Sequence, residues 1–268
     1  MNPQDHVRRS PDIGAHAAAS LDRNQPRTGT FIAFRNPIPY QEGWQIQQQL
    51  HAERVSGTRP DTLLLLEHLP VYTVGRRTEA AHLGGGEAAL RQTGASVHPV
   101  NRGGSITYHG PGQLVGYPII VLAQYASGPR EYVRLLEDVL IGTLALWGIE
   151  GHRVSKAPGV WVRSDRGEEK IASIGVRIDQ GVTLHGFALN VDLDLTPFSL
   201  IVPCGLAQCG ITSLAELRQS PIPVGKVAAQ VADLFSRLFN IEWTGPSADS
   251  INSSLLNRCL TDLAMKEA

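Results

Sequence analysis

Three groups of residues in this chain have types and spacing suited to chemistry. Cys204 stands in Ile201-Val202-Pro203-Cys204-Gly205, Lys170 opens an apolar strand-like segment, and a glycine-rich run covers residues 102–113. A thiol whose charge is set by a nearby cation is a good nucleophile toward thioesters, and glycines let backbone amides approach a ligand closely. The combination points to a cysteine enzyme that handles an acyl group.

Each group also has a plainer reading. A lone cysteine is more often an inert small hydrophobe than a nucleophile. Here Pro203 and Gly205 put the thiol on a bend, where it can face a cleft, and a nearby backbone amide could serve as an oxyanion donor. Cys209 and Cys259 lack that framing and read as structural. Lys170, following Glu168 and Glu169, reads most simply as a strand-edge lysine in water. Paired with Cys204 it would hold the thiolate, and the two would titrate as a unit. In the glycine-rich run, Gly103, Gly104, His109, Gly110, Pro111 and Gly112 suit an irregular loop, and the functional reading makes that loop a ligand wall with Arg102, Tyr108 and His109 as polar contacts. No Gly-Lys-Ser/Thr follows, so it is not a P-loop. His109 and His185 are open as acid-base groups, orienting groups or ordinary loop histidines. Ser173, Ile174 and Gly175 on one strand, and Gly186, Phe187 and Ala188 on another, could line an apolar slot, since a strand glycine often marks close approach.

The elements that must position these residues follow from periodicity. Residues 61–67 form a continuous apolar run too short for a helix, which predicts a strand buried on both faces. Residues 30–34, 71–75, 113–122 and 182–191 also read as strands. Residues 159–162 and 170–178 flank a polar stretch as a hairpin. Helices are predicted over 40–54 with Trp44, Ile46 and Leu50 buried, over 131–147 with Val133, Leu136, Val139, Leu140, Thr143 and Leu144 inward, and over 225–239 with Val227, Val231, Leu234, Phe235 and Leu238 inward. Shorter helices are predicted over 87–93 and 213–217. Hairpins mixed with helices indicate an α+β fold with a mostly antiparallel or mixed sheet surrounded by helices.

Composition bounds the rest. With 268 residues, 42% of them hydrophobic, the chain can bury a sizeable core. A net charge of -1 gives no electrostatic case for nucleic acid. No run reaches the length of a bilayer span and no secretory signal is seen, so a cytoplasmic, non-membrane protein is expected. Three cysteines without paired spacing argue against a zinc site or a disulfide framework. Residues 1–28 read as a disordered polar tail, 29–245 as one catalytic domain and 246–268 as a helical tail.

Six segments in series, RGGSITYHGPGQLVGYP, GVWV, KIASIGVRI, HGFALNV, IVPCG and ITSL, resemble the lipoyl(octanoyl) transferases in order and spacing, over residues 63–217. The resemblance implies the fold of the biotin and lipoate protein ligase catalytic domain. It implies that Cys204 carries an octanoyl thioester and that Lys170 tunes the cysteine and assists proton transfer. It also implies acyl binding by Arg102, Gly103, Gly104, Ser105, Ile106, Thr107, Tyr108 and His109, by Ser173, Ile174 and Gly175, and by Gly186, Phe187 and Ala188. The donor would be octanoyl-acyl carrier protein. The acceptors would be apo lipoyl domains of 2-oxoacid dehydrogenase subunits and the glycine cleavage H protein, with no cofactor or metal. The sequence departs from the family pattern at Glu67-His68-Leu69-Pro70, where a second proline is usual. The rivals are an ATP-dependent lipoate or biotin ligase on the same fold, a non-catalytic protein that binds acyl carriers or lipoyl domains, and, last, a cysteine peptidase.

Overall fold

A computed structural model describes residues 25–202 and 210–244. Cys204, Cys209 and Cys259, most of the N-terminal tail and all of the C-terminal tail therefore lie outside the described residues.

In chain order the elements are β1 (Arg27–Ala33), α1 (Tyr40–Val55), β2 (Asp61–Leu66), β3 (Val71–Val74), α2 (Glu87–Gln92), β4 (Ser96–Pro99), β5 (Thr107–His109), β6 (Gln113–Ile119), α3 (Pro129–Ala145), β7 (Gly151–Val154), β8 (Ala157–Ser164), β9 (Gly167–Asp179), β10 (Val182–Asn190), β11 (Gly210–Ile211), α4 (Leu214–Arg218), α5 (Val224–Phe239) and β12 (Ile241–Thr244). The main sheet runs β12-β1-β2-β6-β10-β9-β8-β7, with β11 added to β9, and a small second sheet runs β4-β3-β5. β1 is parallel to both its neighbours and β11 is parallel to β9, while the other main-sheet pairs are antiparallel. The α+β mixed sheet expected from the sequence is the fold observed.

The leucines of β2 show why the main sheet needs helices on both sides. Leu63 and Leu65 enter the large core with α3 and α5, whereas Leu64 and Leu66 enter a second core with Ile46 and Leu50 of α1. Strand side chains alternate between faces, so a run with no polar alternation is stable only when both faces are covered. A third core joins the small sheet to Phe198 and Ile201.

The helix faces are rotated slightly from expectation. On α3 the buried series is Tyr132, Leu136, Val139, Leu140, Thr143 and Leu144, with Val133 only half-buried. On α5, Phe239 is buried and Leu238 is 44% exposed. In each case the core residue lies four positions from its buried neighbour, and the adjacent residue is turned aside by about 100°. Tyr132 and Phe239 meet edge to face at 6.3 Å. Trp44 is also half-buried: it packs against the α1 core while its ring lies on His185.

The departure at Leu69 has a structural use. Its backbone N–H donates to Ile38 O at 3.0 Å, a bond that proline cannot make.

Candidate active site

The hairpin β8–β9 turns tightly, with Ser164 opposite Gly167. Lys170 is not at its mouth in water. It lies inside β9 and is 3% exposed, with its ammonium 5.0 Å from the centre of the Trp161 ring. The cover that makes this possible comes from a later part of the chain. β10 pairs with β9 only from Ala172 onward, and β11 takes the vacant edge with Ile211 opposite Lys170. Thr212 N–H then donates to Lys170 O at 3.1 Å. Gly159 makes room for the lysine stem: its φ is +121, and a Cβ there would come within 2.8 Å of Lys170 Cε and 2.3 Å of Ala172 O. Only glycine suits both constraints.

A pocket lies between the α1 side of the main sheet and the small sheet. β9 supplies Ser173, Ile174 and Gly175, β10 supplies Gly186, Phe187 and Ala188, and the loop and β5 supply Arg102, Gly104, Ser105, Ile106, Thr107 and His109. Two of the residues singled out from the sequence are not on the wall. Tyr108 points away from it to pack on Tyr72 and Phe198 at 5.2 and 5.8 Å, as alternation along β5 requires with Thr107 and His109 facing the pocket. Gly103 instead stitches the loop to β9, its N–H donating to Val176 O at 3.1 Å. The sequence reading also missed Tyr40, Thr73, Val115 and Tyr117, which line the wall together with His185. Their types carry no signal apart from the tertiary arrangement.

Arg102 lines the pocket and its guanidinium is also bonded within the protein. Nη1 donates to Gly103 O and Ser105 O at 3.0 and 2.8 Å, and Nη2 donates to Thr73 O and Oγ1, both at 2.8 Å. It folds the glycine-rich loop around itself. Gly175 permits this approach, since a Cβ there would meet Gly103 O at 2.9 Å and Arg102 Cδ at 3.1 Å.

From Arg102 a chain of hydrogen bonds leads toward the lysine. Thr73 Oγ1 lies 3.2 Å from His109 Nε2, and His109 Nδ1 lies 2.7 Å from Gln113 Oε1. Gln113 Nε2 donates to Asn190 Oδ1 at 2.9 Å, and Asn190 Nδ2 donates to Thr212 O at 2.9 Å. Because an amide oxygen only accepts, His109 must carry its proton on Nδ1 and accept from Thr73 at Nε2. Burial, aided by His68 and Arg102, pushes the pKa of His109 down to about 3. Both ring nitrogens of His109 are hydrogen-bonded, to Thr73 and Gln113, so the neutral ring braces the site. His68 is similarly neutral, with a pKa lowered by burial to about 4. Its Nδ1 lies 3.2 Å from Ile38 O and its Nε2 lies 2.7 Å from the Tyr117 hydroxyl.

The segment 203–209 that contains Cys204 is outside the described residues, but its two flanks are fixed. Val202 N–H donates to His82 O at 3.0 Å, and His82 Nδ1 lies 2.9 Å from Ser105 Oγ on the pocket side. Gly210, at the other flank, pairs with Glu169. Among the described residues no cluster of three or more side chains could hold a metal ion, and no helix is long and apolar enough to cross a membrane.

A mixed sheet flanked by helices, with a lysine strand facing a glycine-rich loop, defines a known class of catalytic domain. The family model of the lipoyl protein ligase A/B catalytic domain matches residues 39–236. The fold is also that of a bipartite lipoate protein ligase from Thermoplasma acidophilum, with a TM-score of 0.62 at 14% identity over 88% of this chain and 92% of that one. A lipoate-protein ligase A solved with bound ATP gives a TM-score of 0.61, also at 14% identity, over 88% and 94%. Among curated relatives, an octanoyltransferase of Thermobifida fusca is 48% identical over 199 residues, 72% of this chain and 80% of its own. An octanoyltransferase of Chloroflexus aurantiacus is 46% identical over 210 residues, 76% and 93% of the two chains. The chain belongs to the lipoyl protein ligase A/B catalytic-domain family, on its octanoyltransferase branch, and is an acyltransferase.

Proposed function

We propose that this enzyme transfers an octanoyl group from octanoyl-acyl carrier protein, through a thioester on Cys204, to a lysine of an apo lipoyl domain. The acceptors would be the lipoyl domains of 2-oxoacid dehydrogenase subunits and the glycine cleavage H protein, in the cytoplasm. The observation that carries this reading is the pairing of β11 with β9. It returns the strand that follows the cysteine segment to the side of Lys170, while Val202, before the cysteine, is tied to His82 beside the pocket.

Chemically, a cation beside a thiol favours its thiolate. The Cys204 thiolate attacks the donor carbonyl and the bond to the carrier sulfur breaks. The departing carrier thiolate takes a proton from the Lys170 ammonium. The lysine amine of the lipoyl domain then attacks the octanoyl-cysteine. Its excess proton passes to the now neutral Lys170, the cysteine thiolate leaves, and a stable amide remains. Thioester exchange is close to balance and aminolysis runs downhill, so no nucleotide is required. The acyl chain would lie along the glycine-marked strands β9 and β10 and the loop from Arg102 to His109. Each buried methylene contributes about 0.8 kcal/mol there.

Intact-mass analysis with peptide mapping tests this, on the protein mixed with octanoyl-acyl carrier protein in the absence of ATP. One octanoyl adduct on Cys204, discharged by an apo lipoyl domain and absent from Cys204→Ala, is the expected result. Lys170→Ala should slow adduct formation by at least about a hundredfold. No adduct, with transfer appearing only when ATP and free octanoate are supplied, would instead assign an ATP-dependent ligase activity.

A further inference from the structure

Two cavities meet at His185. One is the pocket described above, and the other is a cleft between α1 and the segment after β4, lined by residues that include Trp44, His98 and Asn101. Among the described residues, only Tyr40 and His185 line both. The His185 ring is thus part of the partition between them.

That ring is held with unusual care. His185 has a φ of +56 in the middle of β10, a conformation uncommon outside glycine and costly unless its surroundings fix it. Three contacts from two other segments, α1 and the loop after β4, fix it here. Its N–H donates to Gln47 Oε1 at 3.0 Å, its Nε2 donates to Asn101 Oδ1 at 2.7 Å, and its ring stacks on Trp44 at 5.0 Å and 9°. The left-handed backbone turns the ring across the gap between the cavities.

We propose that His185, with Tyr40 beside it, is the end wall that sets the longest acyl chain this enzyme accepts. The proposal rests on the octanoyl-transfer reading above. Strand register supplies the scale. The Lys170 stem passes Gly159, which is opposite Ser173, and His185 is opposite Val176. Three residues of strand cover about 10 Å, comparable to an extended eight-carbon chain. Behind the ring lie the stacked Trp44 indole and the second cleft that Trp44 helps to line, so removing the imidazole takes away the part of the wall that faces the pocket.

The full-length protein and its His185→Gly and His185→Asn variants would be compared with octanoyl-, decanoyl- and dodecanoyl-acyl carrier protein, and transfer to an apo lipoyl domain followed by mass spectrometry. Glycine and asparagine both tolerate left-handed backbone, so these substitutions remove the ring without adding strain. The dodecanoyl-to-octanoyl rate ratio should rise at least about tenfold in His185→Gly, and less in His185→Asn, as expected for opening a hydrophobic pocket. Octanoyl transfer by the wild type with an unchanged ratio in both variants overturns the end wall alone. A wild type that transfers no octanoyl group overturns the transfer reading and this inference with it.

Discussion

Lys170 owes its position to the absence of a side chain at Gly159. A buried ammonium is costly unless its surroundings compensate it, and the Trp161 face supplies part of that compensation, on the order of 1 kcal/mol. With φ at +121 and two atoms inside 3 Å of a built Cβ, Gly159→Ala should cost about 2 kcal/mol or more. It should also move the lysine stem enough to slow acyl transfer by about a hundredfold. Denaturant unfolding and single-turnover transfer measure the two effects separately. An alanine variant with wild-type stability and rate would show that the lysine stem is not confined at this point.

At the scale of elements, the double-sided burial of β2 makes a quantitative prediction. Leu64 is fully buried between the sheet and α1, so Leu64→Ala should destabilise the fold by about 2–5 kcal/mol, read as a lower denaturant midpoint with an unchanged slope. The double-sided burial was legible in the sequence, because four consecutive leucines leave no polar face for a strand. The β8–β9 hairpin and the cores of α3 and α5 were also legible, apart from the one-residue shifts to Tyr132 and Phe239 that periodicity alone cannot resolve. The glycine-rich loop and the two glycine-marked strands announced a pocket, since those residues are poor choices for regular elements that need no close approach. The burial of Lys170 was not legible. Its cover, β11, comes from forty residues later in the chain, and nothing around Lys170 records that pairing. Nor was the polar chain from Thr73 through His109 and Gln113 to Asn190, because side-chain bonds between distant segments leave no period. Arg102 lines the pocket as expected, but the bonding of its donors to Gly103 O, Ser105 O and Thr73 of β3 was not legible, because the fold alone brings those partners together.

At the scale of the whole molecule, the buried histidines couple folding to pH. Burial lowers His68 to about 4 and His109 and His185 to about 3, against about 6.5 in an unfolded chain. Below pH 6.5 the unfolded state binds more protons than the folded one, so the stability contributed by neutral burial is full above that pH and falls as pH drops toward about 4 for His68 and about 3 for His109 and His185. At pH 5 the loss should approach about 2 kcal/mol per histidine. The window from 6.5 to 5 lies above the ordinary carboxylate range, so thermal melts there report chiefly on these rings. His109→Gln should flatten the slope, and a melting temperature independent of pH across the window would show that these rings are not held neutral.

The two ends of the main sheet's first strand pair also set a timetable. β1 lies between β2 and β12, with Arg27 opposite Ile241 in parallel register. One edge of β1 can be satisfied as soon as β2 has emerged during synthesis, but the other must wait for nearly the whole domain. At cellular elongation rates that wait is roughly 10–40 s. Throughout it, a nascent chain carries an open β edge beside a core still lacking α5, which is when a ribosome-associated chaperone would have most to protect.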